Sequence, residues 1–129
     1  MTAHSVSHAT FTLERIYNAT AAEVFAAWAD PAAKARWFAG PDSGHQLDFR
    51  VGGREVNHGH GGGAALTFES FYRDIVPEER IVYTSTLSAD DTVVTVSLTT
   101  VLISPTEDGA RLVLTEQGCL LYASDAADE

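Results

Sequence analysis

Three positions carry polar, titratable side chains where strand alternation places them among aliphatic neighbours: Tyr72, Tyr83 and Glu116. A phenol or carboxylate in such company needs a ligand, a water or another of the three as partner. Burial would raise the Glu116 carboxyl and fit it for general acid or base work; near a strand end, a plain solvated group is the simpler reading. Trp28 and Trp37-Phe38 fall on two successive helical stretches that should close one end of the sheet. Helical aromatics read first as core, which suits Trp28, while Trp37 and Phe38, beside Gly40, are placed to line the mouth of a cavity. His45, His58 and His60 are the only candidates for a metal, and three imidazoles can hold zinc. They sit beside glycines with no acidic or cysteine ligand at a fixed offset, so a solvated Gly-rich loop is expected and no metal is assigned. Cys119 has no local base, and Ser70, Ser85 and Ser97 stand outside any nucleophile-elbow pattern. Gly59 to Gly63 is followed by neither the lysine nor the helix of a phosphate loop, and no cofactor is expected.

The elements that must position these residues are legible as periods. Residues Met1 to Thr10 have no period and read as a loose arm. Phe11 to Tyr17 alternates as a half-buried strand. Thr20 and Glu23 form a capping box, and Ala21, Val24, Phe25 and Trp28 follow as the apolar stripe of a helix. Asp30-Pro31 opens a second short helix that ends before Gly40-Pro41. Leu47 to Val51 and Arg54 to His58 are expected as a hairpin around Gly52-Gly53, with Gly59 to Gly63 a mobile connection. Leu66–Asp74, Arg80–Leu87, Val93–Ile103 and Arg111–Glu116 complete six strands after the helices. Alternation puts Phe49, Phe68, Tyr72, Tyr83, Leu98, Leu114 and Glu116 on one sheet face, with Trp28, Trp37 and Phe38 closing one end. Arg50, Arg54 and Arg73 are expected to pair across strands with Asp48, Glu55, Glu69 or Asp74.

The chain has 129 residues, one domain's worth, with 45% hydrophobic and 20% charged residues. A net charge of −10 is the wrong sign for gripping nucleic acid. The longest apolar run, Phe25 to Ala29, is far short of a membrane span, and the N-terminus lacks the pattern of a signal peptide, so a cytoplasmic location is expected. A single cysteine suits a reducing compartment.

The order of Glu14-Arg15-Ile16, Thr20 through Trp28, Asp30-Pro31, Trp37-Phe38, Arg50 to Gly53 and Tyr72 to Thr84 resembles the activator-of-Hsp90-ATPase-like branch of the START-like (SRPBCC, Bet v 1-type) helix-grip proteins. The resemblance covers about residues 11 to 117, taken as one domain, with 118–129 left as a short acidic tail. It implies an α+β fold: a curved antiparallel sheet of six to seven strands, two short helices after the first strand, and a cavity between sheet and helices. Relatives follow the last strand with a long gripped helix, and Gln117 to Glu129 is too short for one. The exposed concave face this leaves implies a homodimer. The function implied is binding of a small hydrophobic ligand, with Trp28, Trp37 and Phe38 and the sheet-face residues as lining and no catalytic residue assigned. Two alternatives are a cyclase or dehydratase acting on an aromatic or polyketide-like substrate through Glu116 or Tyr83, and a regulator of an Hsp90-type chaperone ATPase.

Overall fold

A computed structural model describes residues 4–40 and 43–123. Strand β1 (His4–Tyr17) leads into helix α1 (Ala21–Ala29) and helix α2 (Pro31–Phe38), followed by β2 (Gln46–Leu47), β3 (Arg54–Gly61), β4 (Ala64–Val76), β5 (Arg80–Ala89), β6 (Thr92–Pro105) and β7 (Ala110–Ala123). The strands make one curved antiparallel sheet in the order β1-β7-β6-β5-β4-β3-β2, so the first strand returns beside the last. This is the α+β helix-grip fold, and among the described residues no helix follows β7.

Local chemistry accounts for the starts and turns. The Thr20 hydroxyl accepts from the Glu23 amide at 3.1 Å while the Glu23 carboxylate accepts from the Thr20 amide at 2.9 Å, closing the capping box of α1. Asp30 caps α2 by accepting from the Ala33 amide at 3.2 Å, with Pro31 at the first helical position, where no amide is needed. Val24 and Trp28 on α1 pack onto Ile81, Val101, Ile103 and Leu112, which defines an inner face of the sheet with its core at the end under the helix.

Several expectations are corrected. Residues 4–10 are not a loose arm: they pair with Gln117–Ala123 of β7, so the strand also takes in the first part of the supposed acidic tail. The alternation there is Ser, Val, Ser, His, Ala and Thr, too weakly apolar to register as a period, and the ladder with β7 supplies what the pattern lacks. Residues 124–129 lie outside the described residues, as do Pro41 and Asp42. Gly59 to Gly61 continues β3, and the connection to β4 is a tight turn at Gly62 and Gly63, whose φ values of 60° and 82° favour glycine. The hairpin expected at Leu47 to Val51 shrinks to two paired residues. Phe49 still reaches the core, packing edge-on against Phe25 at 5.6 Å and Tyr72 at 4.9 Å, whereas Val51 is 58% exposed.

Candidate functional site

The register brings the expected residues to five places rather than one. Leu98 is on the outer face, where it is 38% exposed: Val101 and Ile103 are anchored under α1, and a period of two carries Thr99 inward and Leu98 outward. The expectation that Leu98 lies on the inner face is therefore wrong. Glu116 is on the inner face but exposed, beside Phe11 of β1 and Thr99 of β6, beyond the end of the helix. Tyr83 is buried in the core, with Tyr72 at 5.7 Å ring to ring. Burial holds the Tyr83 phenol above its ordinary range, partly offset by a hydrogen bond with Thr99, so it stays protonated. Tyr83 and Glu116 are separated by Thr99 across two strand spacings.

Phe38 and Phe68 meet edge-on at 5.4 Å and roof a cluster that composition and period did not point to. Glu55 of β3 faces inward instead of pairing with an arginine, and both its oxygens are spent: Oε1 accepts from Lys34 Nζ at 3.0 Å and from the Tyr72 hydroxyl at 3.1 Å, and Oε2 bonds His45 Nε2 at 2.8 Å. Lys34 and Glu55 are each 1% exposed. The Lys34 ammonium lies over the rings of Phe38 at 4.5 Å, Trp28 at 5.1 Å and Trp37 at 5.4 Å. Burial pulls the Lys34 pKa down against the opposing pull of Glu55, and burial followed by the Glu55 charge drives the Tyr72 phenol up. Next along the same row, the Ser70 and Ser85 hydroxyls bond each other at 2.9 Å. The sequence signal for this cluster was Tyr72, a phenol among aliphatic neighbours in need of a partner; its answer, Glu55, and the Lys34 that pairs with it were not singled out.

His58 and His60 flank Gly59 on the outer side of β3, opposite in direction to Glu55 and its partner His45, so the three imidazoles do not converge. Among the described residues no group of three potential ligands is close enough to hold a metal ion.

A groove of about 520 Å³ runs between α1 and the β1–β7 edge of the inner face. Its floor is Leu13, Leu112 and Leu114, and its helical wall is Val24, Ala27 and Trp28. Trp37 closes one side, half exposed, fixed by its Nε1 donating to the Ala27 carbonyl at 2.8 Å and by edge-on contact with Trp28 at 4.9 Å. Arg15 and Glu23 stand on its rim. The volume is within the usual 300–1,000 Å³ of small-molecule sites, and the lining is apolar with a few polar groups at the edge. Of the residues expected to bind, Trp28, Trp37 and Leu114 come together here, while Leu13, Ala27 and Arg15 join them without having been singled out.

The comparisons with known proteins agree with this architecture. A family model described as Activator of Hsp90 ATPase homolog 1-like protein matches residues 18–127. An uncharacterised protein from Rhizobium leguminosarum is 38% identical with a TM-score of 0.87, the match covering 98% of this chain and 88% of the other. The Mll3558 protein from Rhizobium loti is 41% identical with a TM-score of 0.85, covering 96% of this chain and 88% of that one. A protein of unknown function from Staphylococcus aureus, SA2116, shares the fold at 17% identity and a TM-score of 0.73, over 89% of this chain and 72% of its own. No curated protein matches. Strand order, paired helices and the span of the family match agree, and the chain belongs to the Activator of Hsp90 ATPase homolog 1-like family of helix-grip proteins.

Proposed function

We propose that the protein binds a small hydrophobic molecule in the groove between α1 and the β1–β7 edge. The observation that carries this is the two-sided apolar groove itself, walled by α1 and floored by Leu112 and Leu114, with a tryptophan held open to solvent at its side. A half-exposed indole at the edge of an apolar site is a ready contact surface. The test is displacement of a hydrophobic fluorophore by lipophilic compounds. Trp37→Ala is expected to weaken binding about fivefold or more, and Glu116→Gln, outside the groove's lining, to leave it unchanged. Equal binding by Trp37→Ala would sink the reading, as would stimulation of an Hsp90-type ATPase that ignores every groove variant.

A second copy of the chain is the partner that suits the opposite side of this groove. Strand β1 is bonded to β7 along 14 positions and forms one margin of the sheet, while the other margin is the two-residue β2. A long, proline-free, lysine-free margin is a template for pairing. Its one glutamate and one arginine cancel, which makes it a neutral seam on a chain of net charge −10. Antiparallel β1-to-β1 pairing would be self-complementary. Sedimentation at micromolar concentration should give a dimer, and a monodisperse monomer refutes it.

A further inference from the structure

The rim of the groove carries a cation that its surroundings leave uncommitted. Five of the eight basic side chains meet a carboxylate: Lys34 with Glu55, Arg50 with Asp48, Arg54 with Glu69, Arg80 with Asp74 and Arg111 with Glu14. Arg73 donates to the Thr84 hydroxyl at 3.0 Å and lies over the Phe71 ring. Arg15 donates to the neighbouring Glu14 backbone carbonyl at 2.9 Å and, among the described residues, to no side chain. A guanidinium has five N–H donors in a fixed fork that matches a carboxylate. Arg36, exposed on α2, likewise has no side-chain partner among the described residues but lies outside the groove's lining, whereas Arg15 stands where the apolar groove meets water.

The other charged group on the rim makes no hydrogen bond or ion pair with it and is engaged through one oxygen in the helix cap. The Glu23 carboxylate accepts from both the backbone amide and the hydroxyl of Thr20, at 2.9 Å and 3.1 Å, in the cap of α1. The groove therefore presents an apolar body with one open cationic fork at its edge and one fixed negative charge nearby.

We propose that the ligand of this groove is an amphiphilic monocarboxylate whose apolar portion lies against Val24, Trp28, Leu112 and Leu114 and whose carboxylate is received by Arg15. The inference rests on the binding reading above and names the chemical class that the site takes. One guanidinium balances one negative charge. With Glu23 on the same rim and a net charge of −10 behind it, a dianionic head such as a phosphate monoester is disfavoured. Arg15 is exposed, so its gain is that of a partly solvated ion pair and serves selection more than raw affinity.

The experiment is titration of the purified protein with decanoate, decanol and decyl phosphate at low salt, followed by the fluorescence of Trp28 and Trp37, the two tryptophans of the chain. Decanoate is expected to bind about three- to tenfold tighter than decanol. Arg15→Gln should erase that preference while leaving decanol affinity unchanged, and Arg15→Lys, which keeps the charge but loses the fork, should restore part of it. Raising the salt should shrink the preference in the wild-type chain and in Arg15→Lys, and change nothing in Arg15→Gln. The inference is overturned if decanoate and decanol bind equally, if the preference survives Arg15→Gln, or if decyl phosphate binds tighter than decanoate. Absence of binding by all three probes overturns the binding reading and this inference together.

Discussion

Glu55 is the residue on which the most side chains depend, because its two oxygens receive Lys34, Tyr72 and His45 in the interior. Removing one member of a buried ion pair strands the other, so Lys34→Met and Glu55→Gln are each expected to cost about 3–5 kcal/mol in denaturant unfolding. The double variant Lys34→Met/Glu55→Gln should recover most of that loss, and simple additivity of the two costs would show that the pair is not coupled. The phenols of Tyr72 and Tyr83 are held above their ordinary value by burial. The unfolded chain releases these protons from about pH 10 while the folded one keeps them, so stability is fully present below that pH and falls as pH rises beyond it. Each tyrosine adds at most about 1.4 kcal/mol per pH unit to the alkaline slope, and Tyr83→Phe should flatten it. At this scale the sequence was half legible. Tyr72 and Tyr83 were recognised as phenols in need of partners, but the carboxylate that answers Tyr72 is Glu55, a surface-looking residue in an Arg-Glu-Val string whose inward direction is decided only by its register with Ser70.

Helix starts were readable to the residue, because a cap is chemistry confined to four positions, as with Thr20 and Glu23 or Asp30 and Pro31. Strand limits were not. The outer parts of β1 and β7 exist by pairing with each other, and no local period announces a strand whose partner is 100 residues away. Strand parity failed in β6 for a related reason: Val96 and Leu98 are more apolar than Ser97 and Thr99, yet the buried Val101 and Ile103 decide which set turns inward. The expected groove inherited that error through Leu98 and lacked Leu13 and Arg15, because the first strand was read as half-buried without being assigned to the lining face. The β5–β6 turn offers a check on backbone cost. Asp90 and Asp91 sit at φ of 50° and 79°, and Asp90 also accepts from the Ala65 amide at 2.9 Å. Asp91→Gly is therefore expected to stabilise by about 0.5–1 kcal/mol, read as a raised thermal midpoint, while Asp90→Gly should gain less because it forfeits that hydrogen bond.

For the whole molecule, the helices cover one end of the inner face and leave the other to solvent, with Phe11 56% exposed beside Leu120. A net charge of −10 keeps such a chain dispersed at low salt, so screening should strengthen self-association through β1, and the dimer fraction in sedimentation is expected to rise between low and physiological salt. The sheet order has a consequence in time. The first and last strands are partners over their full lengths, so Tyr17 leaves the ribosome 93 residues before Ala110, the residue it must bond. At about 5–20 residues per second that is a wait of roughly 5–20 s, during which β1 has no place to go. The central hairpins β3–β4, β4–β5 and β5–β6 join neighbours in the chain and can form as they emerge, whereas closing β1 onto β7 ties a loop nearly as long as the domain. Folding of this protein should thus end, not begin, with its N-terminus. In pulse-labelling hydrogen exchange the amides of β1 and those of β7 that bond β1 should gain protection together and after those of β4 and β5.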